Sequence, residues 1–263
     1  MRVVVAIPAR YQSSRYPGKP LVALRGATGE PKSLVERTYE AATAARGVDR
    51  VIVATDDDRI ADHARGFGAE VMMTSSACRN GTERCAEVLS RLSPTPDVMV
   101  NVQGDAPLTP PAFVEALVAG IGRFDMATPV LRCDLEMLER FRNDRHHGRV
   151  GGTLAVMDRA MRALYFSKEV IPFADGITTE ADARTVFHHV GLYAYTPKAL
   201  ADYLSWPQGV LELREGLEQL RFLENGASIA CVEVEAAGRA FWELNNPVDV
   251  ERIEIAMRAA GIP

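Results

Sequence analysis

The ten residues from Arg10 to Lys19 hold two arginines, a lysine and the hydroxyls of Ser13 and Ser14, within the run Pro8-Ala9-Arg10-Tyr11-Gln12-Ser13-Ser14-Arg15-Tyr16-Pro17-Gly18-Lys19-Pro20. Guanidinium forks, one ammonium and the backbone N–H groups of such a loop suit a polyphosphate. The spacing is not that of the G-x-x-x-x-G-K-[ST] loop, so the mechanics of that ATPase motif do not transfer. A solvated basic surface loop has the same composition. Further on, the chain reads Asn101-Val102-Gln103-Gly104-Asp105-Ala106-Pro107. A carboxylate directly after a buried strand is a usual way to hold Mg²⁺ against phosphate oxygens, which makes Asp105 the candidate metal ligand. Gly104 permits a sharp turn, and Gln103 can read a hydroxyl or a base edge; as a bland alternative, Asp105 is a turn or cap residue. A third segment, Asn80-Gly81-Thr82-Glu83-Arg84, opens a helix whose free N–H groups favour an anion or a polar base edge. There Glu83 serves equally as a first-turn residue that offsets the helix dipole.

These segments need a scaffold, and the apolar pattern supplies one. Strands are expected at Val3–Ile7, Val51–Ala54, Glu70–Met73 and Val98–Val102. Between them helical patterns run over Leu34–Ala45 with Ser33 as N-cap, Asp58–Arg65 and Thr82–Leu92. Strands alternating with helices at this spacing indicate an α/β fold with a parallel sheet covered on both faces. Ligands of such sheets bind beyond the carboxyl ends of the strands, which is where the three segments fall. The second half is less regular. Strands are expected at Met126–Leu131, Thr153–Val156 and His189–Tyr195, the last antiparallel, with helices over Leu211–Leu223 and Pro247–Ala259. Thr178–Thr185 reads as a surface loop. The expected organisation is one domain of 263 residues with a smaller lobe at roughly 125–210.

Composition narrows the partners. A formal net charge of −5 argues against a nucleic-acid footprint, which needs a basic face. The apolar run near the start is six residues long and ends in proline, too short for a signal peptide or a membrane span, and no later segment is long enough. Cys78, Cys85, Cys133 and Cys231 form no CxxC pair and fit reduced thiols, so the expectation is a cytoplasmic protein.

In combination the motifs are specific. The stretches IPARYQSSRYPGKPL, VATDDDRI, NGTERCAEV, VNVQGDAPL, ALYFSK with IPF, HHVGLYAY, LELREGLEQLRFLENG and NNPVDVERI follow one another from residue 7 to about 254. In them the chain resembles the 3-deoxy-D-manno-octulosonate (Kdo) cytidylyltransferases over nearly its whole length. The resemblance implies a GT-A-like nucleotidyltransferase fold, usually dimeric, that acts on CTP with Mg²⁺. It implies that Arg10, Ser13, Arg15 and Lys19 hold the CTP phosphates. Ala9, Thr74, Arg79, Gly81 and Thr82 would surround the cytidine, and Asp105 would bind Mg²⁺. Gln103, which the resemblance also places at the CTP, and His189, Tyr193, Glu212, Glu215 and Gln219 would face the sugar acid. On the residues alone, His189 also reads as a satisfied structural histidine, and Glu212 and Glu215, three apart, as an ordinary solvated helix face.

Two departures stand out. The family's closing motif, of the form V-D-T-P-E-D-L-E, appears here as Leu244-Asn245-Asn246-Pro247-Val248-Asp249-Val250-Glu251, so Asn245 stands where a second metal carboxylate is expected. A carboxamide offers Mg²⁺ an oxygen but no charge. The family's V-K-V-V strand appears as Thr153-Leu154-Ala155-Val156, with Arg145-His146-His147-Gly148-Arg149 before it, which moves the cation from the strand to the loop. The expected reaction is attack of the anomeric hydroxyl of a 2-keto sugar acid on the α-phosphorus of CTP, with release of pyrophosphate. The rival readings are CMP transfer to amino-Kdo, a nonulosonic acid or a phosphonate, and a CTP-binding regulator without catalysis. Uridylyl or guanylyl transfer is disfavoured, because those enzymes begin with a glycine-rich G-x-G-x-R segment.

Overall fold

A computed structural model describes residues 1–12, 16–104, 107–150, 152–236, 244 and 246–263. The chain divides into two compact units, Met1–Val118 with Ala236–Pro263, and Ala119–Glu235.

In the first unit, β1 (Val3–Ala9) leads through a 3-10 turn at Lys19–Leu21 to a hairpin of β2 (Ala23–Arg25) and β3 (Pro31–Ser33). There follow α1 (Leu34–Thr43), β4 (Arg50–Thr55), α2 (Asp58–Gly66), β5 (Glu70–Met73), α3 (Gly81–Ser90), β6 (Val98–Val102) and α4 (Pro111–Gly120). The strands lie in the order β5–β4–β1–β6, and each of these pairings is parallel. This is the parallel sheet that the alternating pattern called for. The helix starts also follow from sequence: Ser33, Asp57 and Asn80 each accept a backbone N–H from the first turn of the helix they precede.

The two edges of β1 run out at different points. It stays in register with β4 as far as Ala9↔Thr55, but with β6 only as far as Ala6↔Asn101. Beyond that point the ladder between β1 and β6 lapses, although Gly104 still lies against Pro8. Pro8, which has no N–H to donate, lies two residues past the last paired residue on the β6 side.

The second unit contains β7 (Met126–Arg132), α5 (Leu135–His146), β8 (Thr153–Met157), β9 (Ala163–Ser167), α6 (Glu180–Ala183), β10 (Phe187–His189), β11 (Leu192–Tyr195), α7 (Pro197–Ser205), α8 (Val210–Glu215), α9 (Leu220–Glu224) and β12 (Ile229–Glu233). β7 pairs antiparallel with β10 and β11 and parallel with β12, while β8 joins β10 to β9 in antiparallel pairings. A cluster of Leu138, Phe141, Leu154, Ala183 and Val186 packs under α5. The chain then returns to the first unit with α10 (Asp249–Ala259), whose Ile253 and Met257 pack with Leu24 and Leu34.

Four expectations need correction. The single strand over His189–Tyr195 is two strands: Phe187–His189 pairs with Val130–Arg132, and the pairing resumes at Ala194↔Ala127 with the register shifted by two residues. The extra residues fall between His189 and Leu192, where the N–H groups of Val190 and Leu192 bond to Pro129 O and Val190 O. The single helix over Leu211–Leu223 is α8 and α9, because Gly216 takes a left-handed conformation, φ 63°, and closes α8. Its N–H bonds to Glu212 O, the C-terminal closure that glycine favours. Thr178–Thr185 is not all loop, since Thr179 caps the short α6. The last helix starts at Asp249, two residues after Pro247. No helix among the described residues is long and apolar enough to cross a membrane.

Candidate functional site

The first unit gathers one group of candidates at the carboxyl ends of its parallel strands. Ala9 ends β1 and is buried, and Arg10 directly after it is exposed. The loop beyond Arg10 is closed by Gly18, whose N–H bonds to Tyr11 O at 2.9 Å and whose φ of 72° needs glycine. Its Cα also lies against the Tyr11 ring, and a Cβ would stand 3.1 Å from that ring. The guanidinium of Arg59 covers the same tyrosine, 3.3 Å from the ring centroid. Lys19 then opens the 3-10 turn, half-buried. Tyr11 and Gly18 are therefore held to each other by backbone and ring contacts. Ser13 and Arg15, expected on the phosphates, lie outside the described residues.

At the end of β6, Gln103 and Gly104 are half-buried beside the end of β1, and a Cβ at Gly104 would meet Pro8 O at 3.0 Å. Glycine is required there by the close approach of two backbones. Gly81, at the first turn of α3, lies against two side chains: a Cβ would stand 3.0 Å from Asn101 Nδ2 and 3.2 Å from Gln103 Nε2. Gly81 and Gln103, expected around the nucleotide, are thus brought together. Thr82 is fully buried. Thr74 sits at the end of β5, its N–H bonded to Thr55 O at 2.8 Å and its hydroxyl accepting from Arg84. Arg79 lies slightly apart, with its guanidinium on Glu83: Nε donates to Oε1 at 2.8 Å, and the Arg79 backbone N–H donates to Oε2 at 2.7 Å. Asp105 and Asn245, the expected metal ligands, lie outside the described residues. Among the described residues no group of three His, Cys, Asp or Glu side chains is arranged to hold a metal.

The sequence reading passed over Arg84. Its side chain is 3% exposed, bonds Thr74 and stands 3.4 Å from Asp56. It ties the ends of β4 and β5 to α3. The signal was available, since an arginine one turn into a helix of apolar character has to find a counter-charge.

The second unit gathers the other candidates along a line of rings. His189 Nε2 lies 2.9 Å from the Thr128 hydroxyl. The imidazole stacks on Tyr193 at 5.6 Å, and the Tyr193 hydroxyl donates to Gln219 Oε1 at 3.3 Å. Tyr195, Phe222 and Tyr203 continue the line. Burial, with His188 beside it, pushes the His189 imidazole down to about 3, so it is neutral at ordinary pH. Gln219 is 1% exposed, and its Nε2 has no hydrogen-bond partner among the described residues. His189, Tyr193 and Gln219 thus form one connected group.

Glu212 and Glu215 do not act as a pair. Glu212, 4% exposed, takes a bidentate ion pair from the fully buried Arg221, with Nε–Oε2 2.7 Å and Nη2–Oε1 2.6 Å. Arg221 also lies over the Tyr203 ring at 3.9 Å. Glu215 instead turns to β9, where its Oε1 accepts from Ser167 Oγ at 2.7 Å and from Tyr165 OH at 3.3 Å, and its Oε2 from Lys168 N at 3.0 Å. Burial and this carboxylate raise the Tyr165 phenol. The solvated-face reading fails for Glu212. Arg221 and Thr128 were not singled out from sequence, because an arginine in LEQLR and a threonine in a β-branched strand give no sign of what they will face.

A family model described as cytidylyltransferase matches residues 4–229. A 3-deoxy-manno-octulosonate cytidylyltransferase of Maricaulis maris is 43% identical over 99% of both chains. One from Zea mays is 37% identical over 99% of this chain and 83% of its own. Among solved structures, a CMP:2-keto-3-deoxy-manno-octonic acid synthetase complexed with CTP superposes with a TM-score of 0.84 at 32% identity, covering 99% of this chain and all of its own. The mixed α/β architecture is that of these nucleotidyltransferases.

Proposed function

The chain belongs to the 3-deoxy-manno-octulosonate cytidylyltransferase family, and from that premise we infer that it transfers CMP from CTP to Kdo. The observation that carries this reading is the full-length likeness to a synthetase complexed with CTP. The approach of Gly81 to Gln103 and of Gly104 to Pro8, at the carboxyl ends of β1 and β6 where the strand order reverses, supports it, since open α/β sheets bind ligands at such a switch point.

In the reaction the anomeric hydroxyl attacks the α-phosphorus of CTP, and the bond to the departing pyrophosphate breaks. Negative charge grows on the phosphate oxygens, so the work is alignment and charge stabilisation. We assign the triphosphate to Arg10, Arg15 and Lys19 with Ser13, and the cytidine to Ala9, Thr74, Gly81, Thr82 and Gln103, which stands between nucleotide and acceptor. Arg79 serves that group from its ion pair with Glu83. Each charge-stabilising contact in a preorganised site is worth roughly 3–4 kcal/mol. The backbone and ring contacts of Tyr11 with Gly18 support such preorganisation.

For Mg²⁺ we propose Asp105 and Asn245. One carboxylate and one carboxamide fit a hard cation whose remaining oxygens come from phosphate and water. Such an ion neutralises phosphate charge during transfer. For the acceptor we propose Gln103, His189, Tyr193, Gln219 and Glu215. The unpaired donor of Gln219 supports a hydroxyl or carboxylate acceptor there. Glu212 supports this wall through Arg221. The resemblance extends the proposal to a cytoplasmic homodimer that supplies lipopolysaccharide synthesis, and the four unpaired cysteines suit a reducing compartment.

Pyrophosphate release with CTP, Mg²⁺ and Kdo, run beside other nucleotides and a panel of sugar acids, tests the reading. Release with CTP and Kdo alone is expected, and Asp105→Ala is expected to lose at least about 100-fold in kcat. Near-normal Mg²⁺-dependent turnover of that variant would remove Asp105 from the site.

A further inference from the structure

β6 is buried along its whole length, and Val98, Met99, Val100 and Val102 are what such a strand requires. Asn101 is not. It has no exposed surface, and neither Nδ2 nor Oδ1 has a hydrogen-bond partner among the described residues. A buried polar group left unpaired keeps its whole desolvation penalty, so an apolar side chain of similar size would make a more stable strand. Buried groups of this kind call for a functional explanation.

The position of Asn101 supplies one. It is the last residue of β6 in register with β1, one residue before the carboxyl end of the strand. By strand alternation it shares a face with Gln103. The two amides converge on the same Cα, 3.0 Å and 3.2 Å from where a Gly81 Cβ would be, at the first turn of the ten-residue α3. A glycine at that turn leaves just enough room for both.

We propose that Asn101 is a positioning residue for CTP: when the nucleotide draws Gln103 and the first turn of α3 together, the Asn101 amide bonds to Gln103 and fixes which way the Gln103 amide faces. Asn101 is enclosed and does not itself touch the nucleotide. The proposal rests on the reading that these elements carry CTP. It makes Asn101 a residue that lowers the stability of the free protein and returns that stability as affinity, because anything bound only by the folded state adds to its stability.

The test compares the wild type with Asn101→Leu and Asn101→Ser for CTP affinity by calorimetry, KM and kcat with Kdo, and Tm with and without CTP. Asn101→Leu is expected to melt at or above the wild-type Tm without CTP, to bind CTP at least tenfold more weakly and to gain less Tm from it. Asn101→Ser, which keeps a small donor and acceptor, is expected to recover part of the affinity. If Asn101→Leu does not fold, Asn101→Ala takes its place in the same comparison. CTP affinity within twofold of wild type, whatever the Tm, would overturn the proposal. A wild type that binds no CTP would overturn the functional reading on which it rests, so the two failures are distinguishable.

Discussion

Arg221 shows how far a residue can lie from what its type suggests. A guanidinium with no exposed surface has to be neutralised where it sits, and Glu212 does so through two hydrogen bonds while the Tyr203 ring covers its face. Removing one partner of such a pair strands the other charge. Arg221→Met is therefore expected to cost about 3–5 kcal/mol in urea denaturation. The double variant Arg221→Met with Glu212→Gln is expected to recover part of that loss, and a loss of less than about 1 kcal/mol for the single variant would mean that the pair contributes little. Glu212 and Glu215 were legible as carboxylates three apart on a helix. Their division of labour was not, because it depends on Arg221 and Ser167, which approach from elsewhere in the chain.

At the scale of elements, punctuation decides function as much as pattern does. The apolar periodicity from Leu211 to Leu223 reads as one helix, yet Gly216 ends it at φ 63°. That break turns Glu215 toward β9 and lets Gln219 lead into α9, where it meets Tyr193. Gly216→Ala puts a Cβ into a left-handed residue, 3.1 Å from Lys168 Nζ, and is expected to cost about 1–2 kcal/mol in urea denaturation. An unchanged midpoint would mean that the turn relaxes without strain. A similar interruption splits the strand expected over His189–Tyr195. The two added residues let His189 bond Thr128 while Tyr193 carries the stack on toward Gln219.

The whole molecule registers its buried histidines through pH. His188 and His189 are held neutral by burial, with values pushed down to about 4 and about 3. A depressed folded value contributes stability that is complete above the unfolded value and is lost as pH falls toward the folded one. Stability is thus expected to decline below about pH 6.5, by roughly 1.4 kcal/mol per pH unit for each histidine. His189→Asn is expected to lose about 2 kcal/mol less than wild type between about pH 6.5 and 4.5, measured by urea denaturation at each pH. Equal losses in the two proteins would show that His189 is protonated in the folded state.

The sequence by itself determined the α/β class, the strand–helix alternation of the first unit, the cap Ser33, and the family, because each of these is written in residues close together in the chain. The loop from Arg10 to Lys19 and the Gln103–Gly104 turn were visible as chemistry waiting for a scaffold. Only the tertiary structure decided that Gly81 lies against the amides of Asn101 and Gln103, that Arg84 binds Thr74, and that Arg221 occupies Glu212. Those facts follow from which side chains share a buried volume. Close packing and the need to pair every enclosed charge set them, and no local spacing records either.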